Sequence, residues 1–278
     1  MLPKKTDIIA DVRLALAEDV GSGDVTAALL SEDLSVNAMI ISREPMLVCG
    51  RPWVDCAFAT IDQSVEIQWL VEEGAWQEVP TTLCYIQGSA RSILTAERTA
   101  LNLLQTLSAT ATQTYHYLQQ LKGYNTQLLD TRKTLPGLRL AQKYAVKCAG
   151  GINHRFGLYD AFLIKENHIK ACGSITNAIA MAKRTSGNLL IEVEVQTLEE
   201  LSEALKAKPD RILLDNFTHL MLSEAVLMNH PRQCDLEASG GVNLATIGAV
   251  AATGVDYISV GAITKSIQAI DLSLLITA

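Results

Sequence analysis

The 278-residue chain contains no apolar run approaching the roughly 20 residues that span a bilayer. It has no CxxC pair. Its six cysteines (Cys49, Cys56, Cys84, Cys148, Cys172 and Cys234) are scattered. Without a local ligand pair a structural zinc site is not expected, and free thiols in a reducing cytoplasm are. There is no excess of positive charge. Lys and Arg total 23 against 30 Asp and Glu, a net −7 that disfavours a broad nucleic-acid surface. Charged residues make up only 19% and hydrophobic ones 49%, a globular balance rather than a disordered one. Low-complexity segments and sequence repeats are absent. The start, MLPKKTDIIADVRLALAEDV, carries two lysines, but charges break its apolar stretch. It reads as an amphipathic helix, not a signal peptide.

What is present falls into two halves. Asp7–Val20 has a helical pattern stopped by GSGD. Val36–Val48, Val65–Val71 and Thr81–Ile86 read as strands of an antiparallel sheet, with a turn at Glu44-Pro45. A long helix, about Ile93–Leu121, ends at Gly123. These features predict an α+β domain over 1–111, possibly rejoined by 269–278, and a second domain over 112–268.

The second half alternates. Thr126–Lys133, Ala161–His168, Leu189–Val195, Arg211–Asn216, Leu236–Gly241 and Tyr257–Lys265 are short apolar stretches that end in polar residues. From Lys165 the ends fall at Glu194, Asp215, Ser239 and Gly261, in steps of 29, 21, 24 and 22 residues. One strand and one return helix fit each step. A further short strand is expected at Gly150–His154. Parallel β/α barrels carry their chemistry at the carboxyl ends of strands, so the pattern marks a fold and a site rim together.

The rim is cationic. Between Asp130 and Lys170 stand eight basic residues and three acidic ones, +5 inside a −7 chain. Lys143 and Lys147 are expected on a solvated helix face. Arg132, Lys133, Arg155 and Lys165 lie at strand ends, where a bound anion is the natural partner, and His154 and His168 stand nearby. Glu194 and Asp215 end consecutive strands and suit magnesium held through water and substrate oxygens. Asp215 equally suits a helix cap. Glu192 is taken to point to the face opposite Glu194. ASGGV (Ala238–Val242) and SVGAIT (Ser259–Thr264) place backbone N–H groups where a phosphate can sit. Arg98, in the long helix, has no role on this reading alone.

The motifs ERTALNLLQTLS (Glu97–Ser108), LLDTRKTLPGLRLAQKYAV (Leu128–Val146), GGINHRFGLYDAFLIKENHI (Gly150–Ile169), IEVEVQ (Ile191–Gln196), ILLDNF (Ile212–Phe217), EASGGV (Glu237–Val242) and ISVGAITKS (Ile258–Ser266) closely resemble those of the quinolinate phosphoribosyltransferases. The resemblance runs from about Asp11 to the C-terminus. It implies an α/β sandwich followed by an incomplete, seven-stranded β/α barrel. It implies formation of nicotinate mononucleotide, pyrophosphate and CO2 from quinolinate and phosphoribosyl pyrophosphate, in NAD biosynthesis. It also implies Mg2+, a cytoplasmic homodimer, and Arg98 reaching the neighbouring subunit's site. Arg132, Lys133, His154, Arg155 and Lys165 match the residues around quinolinate. Glu194 and Asp215 match those that position magnesium and ribose, and Ser239, Gly241 and Gly261 match phosphate loops. LSATAT at Leu107–Thr112 and CAGG at Cys148–Gly151 depart from the usual pattern without removing a charged ligand.

Three alternatives are a Schiff-base aldolase using Lys165, a molybdenum-transport-associated relative of the same fold, and a non-catalytic binding protein. The intact RTALNLLQ and TRKTLPG motifs favour the transferase.

Overall fold

A computed structural model of the chain describes residues 2–78 and 81–277. Its strands, in chain order, begin with β1 (Ser35–Ser42), β2 (Met46–Leu47), β3 (Glu66–Trp69), β4 (Trp76–Gln77) and β5 (Thr81–Ser89). Then come β6 (Gln127–Leu129), β7 (Ala161–Ile164), β8 (Leu190–Val195), β9 (Arg211–Asp215), β10 (Asp235–Ser239), β11 (Tyr257–Ser259) and β12 (Leu272–Thr277).

The chain divides into two compact units. The first holds the residues up to Tyr115, Leu135–Gly150, and those from Ser266 on. Its antiparallel sheet has the order β12-β1-β5-β3, with a bulge between Ile40 and Ile41, and β2 and β4 form a separate ribbon. Strand β1 alternates half-buried and buried positions towards its end, and its inward Ala38 and Ile40 join Trp53, Phe58, Leu83 and Ile86 in one core. The C-terminal return expected of 269–278 is the pairing of β12 with β1.

Two expectations change here. The partition 1–111 and 112–268 shifts: the boundary falls in the helix Ala90–Gln120, between Tyr115 and His116, and Leu135–Gly150 belongs to the first unit. In that excursion Ala141 and Ala145 join the first core, and Gln142 Nε2 donates to Thr110 Oγ1 at 3.1 Å. Lys143 is the second change. It is fully buried, not on a solvated face, while Lys147 is exposed. The same fold brings Cys49, Cys148 and Glu73 together despite their separation in sequence. The Glu73 oxygens accept from the Gly50 and Arg51 amides, capping helix Arg51–Ile61, and from the Tyr144 hydroxyl.

The second unit, His116–Thr134 and Gly151–Lys265, is a parallel sheet of order β6-β11-β10-β9-β8-β7. The strand expected at Gly150–His154 is reduced to one parallel bridge, Ile152 to Leu129 beside β6. Strands β8 and β9 are buried almost throughout, as parallel strands covered on both faces must be. Return helices start where a hydroxyl meets an orphan amide. Ser174 accepts from Asn177, Thr197 from Glu200 and Thr218 from Met221. Each such cap contributes about 1 kcal/mol and fixes where the preceding strand-end loop stops.

Candidate active site

The carboxyl ends of these strands enclose a cavity of about 520 Å³. Thr131, Arg132, Lys133, His154, Arg155, Lys165, Glu194, Asp215 and Ser239 all line it. Four cations and two acids, scattered between Arg132 and Asp215 in the sequence, therefore share one wall. The lining also includes Glu237 and Ser259, which the sequence reading did not single out.

Local structure explains the placement. Asp130, fully buried just past β6, accepts from the His154 amide at 2.8 Å and from Asn153 Nδ2 at 2.7 Å. It thereby ties the segment carrying His154 and Arg155 beside the one carrying Arg132 and Lys133. The Lys133 amide donates to Thr131 Oγ1, and its carbonyl accepts from Thr264 Oγ1 at 2.7 Å. Gly261 gives Lys133 room, since a Cβ there would lie 3.0 Å from Lys133 Cδ. Arg155 Nη1 donates to the Ala161 carbonyl at 3.2 Å. Burial, and next the Arg132 charge, hold Arg155 below its usual range. Two guanidinium groups that repel each other in a half-buried cleft are stabilised by a shared anion.

The acids take distinct positions. Glu194 Oε2 forms an ion pair with Lys165 Nζ. Asp215 ends β9 and accepts from Asn216 Nδ2 at 3.0 Å. It is not a helix cap: the next helix, His219–Met228, is capped by Thr218. Glu192 corrects another expectation. It lies two residues before Glu194, so a strand's period of two puts both on the same inward face. Glu192 is fully buried and its Oε2 lies 2.8 Å from His154 Nε2. Glu237 Oε2 lies 3.5 Å from the same nitrogen and 3.2 Å from Arg211 Nη1. Burial first, then the Glu192 charge, push Glu237 up to about 8, and burial raises Glu192 as well. At neutral pH this carboxyl pair holds a proton.

Beside the main cavity lies a smaller one of about 160 Å³, lined by Ser239, Gly240, Gly241 and Thr246. Gly241 rims it with φ +62° and open space around it. The tighter glycine is Gly240, missed from sequence. A Cβ there would meet Asn216 Oδ1 at 2.1 Å. Arg98 is exposed on helix Ala90–Gln120 in the first unit and does not line this cavity. His168 sits outside it as well; its Nδ1 accepts from the Lys165 amide at 3.0 Å. No helix among the described residues is long and apolar enough to cross a membrane.

Of the residues that the resemblance singles out, Arg132, Lys133, His154, Arg155, Lys165, Glu194, Asp215 and Ser239 line this cavity, and Arg98, Gly241 and Gly261 do not. Residues 24–108 match the N-terminal domain of the family described as quinolinate phosphoribosyl transferase, and residues 110–275 match its C-terminal domain. The chain is 40% identical over 272 residues to a nicotinate-nucleotide pyrophosphorylase [carboxylating] of Mycobacterium leprae, covering 95% of each chain. It is 42% identical to a probable enzyme of the same name from Synechocystis, covering 93% of this chain and 89% of that one. The structure of the nicotinate-nucleotide pyrophosphorylase from Francisella tularensis superposes with a TM-score of 0.96 at 46% identity, covering 100% of this chain and 98% of the other. None of these three is a molybdenum-transport protein. The chain belongs to the quinolinate phosphoribosyltransferase family.

Proposed function

We propose that the cavity joins quinolinate to phosphoribosyl pyrophosphate, giving nicotinate mononucleotide, pyrophosphate and CO2. The observation that carries this reading is the single cavity in which Arg132, Lys133, Arg155 and Lys165 face Glu194 and Asp215. Two polyanions repel each other in water, and a dense cation cluster offsets that repulsion while holding them in line. Arg132 and Arg155 supply forked donors for the pyridine carboxylates. Lys133 and Lys165 add point charges.

The pyridine nitrogen attacks the anomeric carbon of the ribose, and its bond to pyrophosphate breaks with the electron pair leaving on oxygen. The positive ring nitrogen then draws in the electrons released as the 2-carboxylate departs as CO2, and the ring carbon takes a proton. Glu194 and Asp215 stabilise the cationic ribose by their charge, and Ser239 and the neighbouring glycines receive the phosphate. Glu194 and Asp215 offer hard carboxylate oxygens in one cavity, the donor type Mg2+ takes alongside substrate phosphates. The ion, when bound, neutralises charge on the pyrophosphate. Lys165 is engaged by Glu194 and stands among other cations rather than beside a neutral pocket, which disfavours the Schiff-base alternative.

The functional unit in this reading is a cytoplasmic homodimer, with Arg98 of the partner subunit completing each site. Exposure of Arg98 and the six free thiols support those two points. The test is product formation from quinolinate and phosphoribosyl pyrophosphate with and without Mg2+. Nicotinate mononucleotide appearing only with the metal supports the reading. Folded protein that makes none contradicts it.

A further inference from the structure

At the cavity floor begins a polar column that the reaction scheme above does not use. Glu192 of β8 and Glu237 of β10 are both wholly shielded from solvent. Alternate strands of a β/α barrel contribute side chains to one interior layer, which explains why these two meet across β9. Arg211, at the start of β9, reaches Glu237 at 3.2 Å, and its guanidinium lies 4.2 Å over the Tyr257 ring. The Ser259 hydroxyl is hydrogen-bonded to Glu237 as well. His154, which also borders the cavity, completes the column.

Hydrogen bonding assigns the tautomer of that imidazole. The Arg155 amide donates to His154 Nδ1 at 2.8 Å, so Nδ1 is an acceptor and carries no proton. The ring proton is then on Nε2, which faces Glu192 Oε2 at 2.8 Å and Glu237 Oε2 at 3.5 Å. Nδ1 is thus hydrogen-bonded inside the protein, and Nε2 packs against two buried carboxyls. The backbone of the same residue is fixed independently, by its amide on Asp130 Oδ1. Arg155, next in the chain, therefore starts from a residue held at its amide and at Nδ1, with Nε2 lodged against Glu192 and Glu237.

Burying two carboxyls and a guanidinium costs more free energy than well-packed apolar residues of the same volume would, so stability alone does not account for this column. We propose that Glu192 and Glu237, braced by Arg211, are positioning residues. They hold His154 in its Nε2–H tautomer, and His154 in turn aims Arg155 at the carboxylate of the pyridine substrate. The substrate part rests on the function proposed above. A displacement of about 1 Å in a binding group at such a site is enough to cost large factors in rate.

The test uses the full-length protein, with Glu192→Leu, which removes the acceptor facing Nε2, and Glu192→Gln, which keeps an oxygen there. Glu237→Leu and Glu237→Gln form a second pair should Glu192→Leu fail to fold. In folded Leu variants the KM for quinolinate is expected to rise at least about tenfold through misplacement of Arg155, with the KM for phosphoribosyl pyrophosphate within about twofold. The Gln variants are expected to recover most of the difference. Equal rises in both KM values, or an unchanged quinolinate KM, overturn the proposal. Nitrogen-15 NMR of labelled histidine reads the tautomer without any turnover. Nε2–H at His154 in the wild type, lost in the Leu variants, is the expected result, and Nδ1–H in the wild type overturns it. Should the wild type show this tautomer but no turnover of quinolinate, the positioning role stands and the substrate assignment fails.

Discussion

Replacing Gly240 by alanine is a sharp test of the strand-end geometry, because Gly241 provides an adjacent control. At Gly240 φ is +99°, and the added Cβ would sit 2.1 Å from Asn216 Oδ1, 2.7 Å from its Cγ and 3.0 Å from its backbone nitrogen. The first two atoms belong to a side chain that can turn away. The third cannot move freely, because the Asn216 amide donates to the Ser239 carbonyl at 2.9 Å. Forcing an L-residue into a positive φ costs about 1–2 kcal/mol, and overpacking adds about 1–3 more. At Gly241 only the conformational part applies, since nothing lies within 4 Å of the added carbon. Gly240→Ala should therefore lose roughly 3 kcal/mol and Gly241→Ala roughly 1, a separation of several degrees in melting temperature for a chain of this length. The functional consequence runs through Asn216, whose side chain donates to Asp215 Oδ2. Gly240→Ala should also lower kcat/KM for phosphoribosyl pyrophosphate by about tenfold or more, and by more than Gly241→Ala does. Thermal melting and steady-state kinetics on the pair decide the matter. Equal behaviour of the two variants would refute the contact geometry at the end of β9.

Other perturbations follow from the same site. Arg132→Ala and Arg155→Ala each remove a charged hydrogen bond worth about 1.5–3 kcal/mol, so the KM for quinolinate should rise by more than tenfold; unchanged kinetics in both would remove them from the binding wall. Glu237 titrates at about 8 in the folded protein against 4.5 for a free glutamate. The folded state thus binds the extra proton between those values. Its contribution to stability is full below pH 4.5 and is lost as pH rises through about 8, with a slope of at most about 1.4 kcal/mol per pH unit. Denaturant melts of Glu237→Gln should show a flatter pH profile over that window, and a profile identical to wild type would count against the burial argument. Arg98→Ala and Lys133→Ala proteins, each inactive alone, should regain part of the activity when mixed. Failure despite demonstrated subunit exchange would put Arg98 outside the site.

Much of the site was legible because strand ends announce themselves. A buried parallel strand reads as an apolar run, and the first polar residue after it lies at the rim, which placed Lys165, Glu194, Asp215 and Ser239 correctly on one wall. Glu192 was legible too, through its two-residue spacing from Glu194, yet was assigned the wrong face. Glu237, two residues before Ser239, carries the same signal. Lys143 was not legible. A helix with lysines four apart looks solvated, and only the docking of Leu135–Gly150 onto the first unit's core buries one and exposes the other. That docking also explains the shifted domain boundary: no composition change marks a segment that leaves one unit and returns sixteen residues later. Gly240 and Gly241 are indistinguishable in sequence. Their difference arises from Asn216, on another strand end.

The central claim is that one cation-lined cavity both transfers the ribosyl group and releases the 2-carboxylate. The direct measurement is the ratio of CO2 to nicotinate mononucleotide formed by the wild-type protein from quinolinate carrying a carbon-14 label in its 2-carboxylate. One labelled CO2 for each nucleotide is the predicted result. Nucleotide that retains the label, or labelled CO2 released without nucleotide, would contradict it.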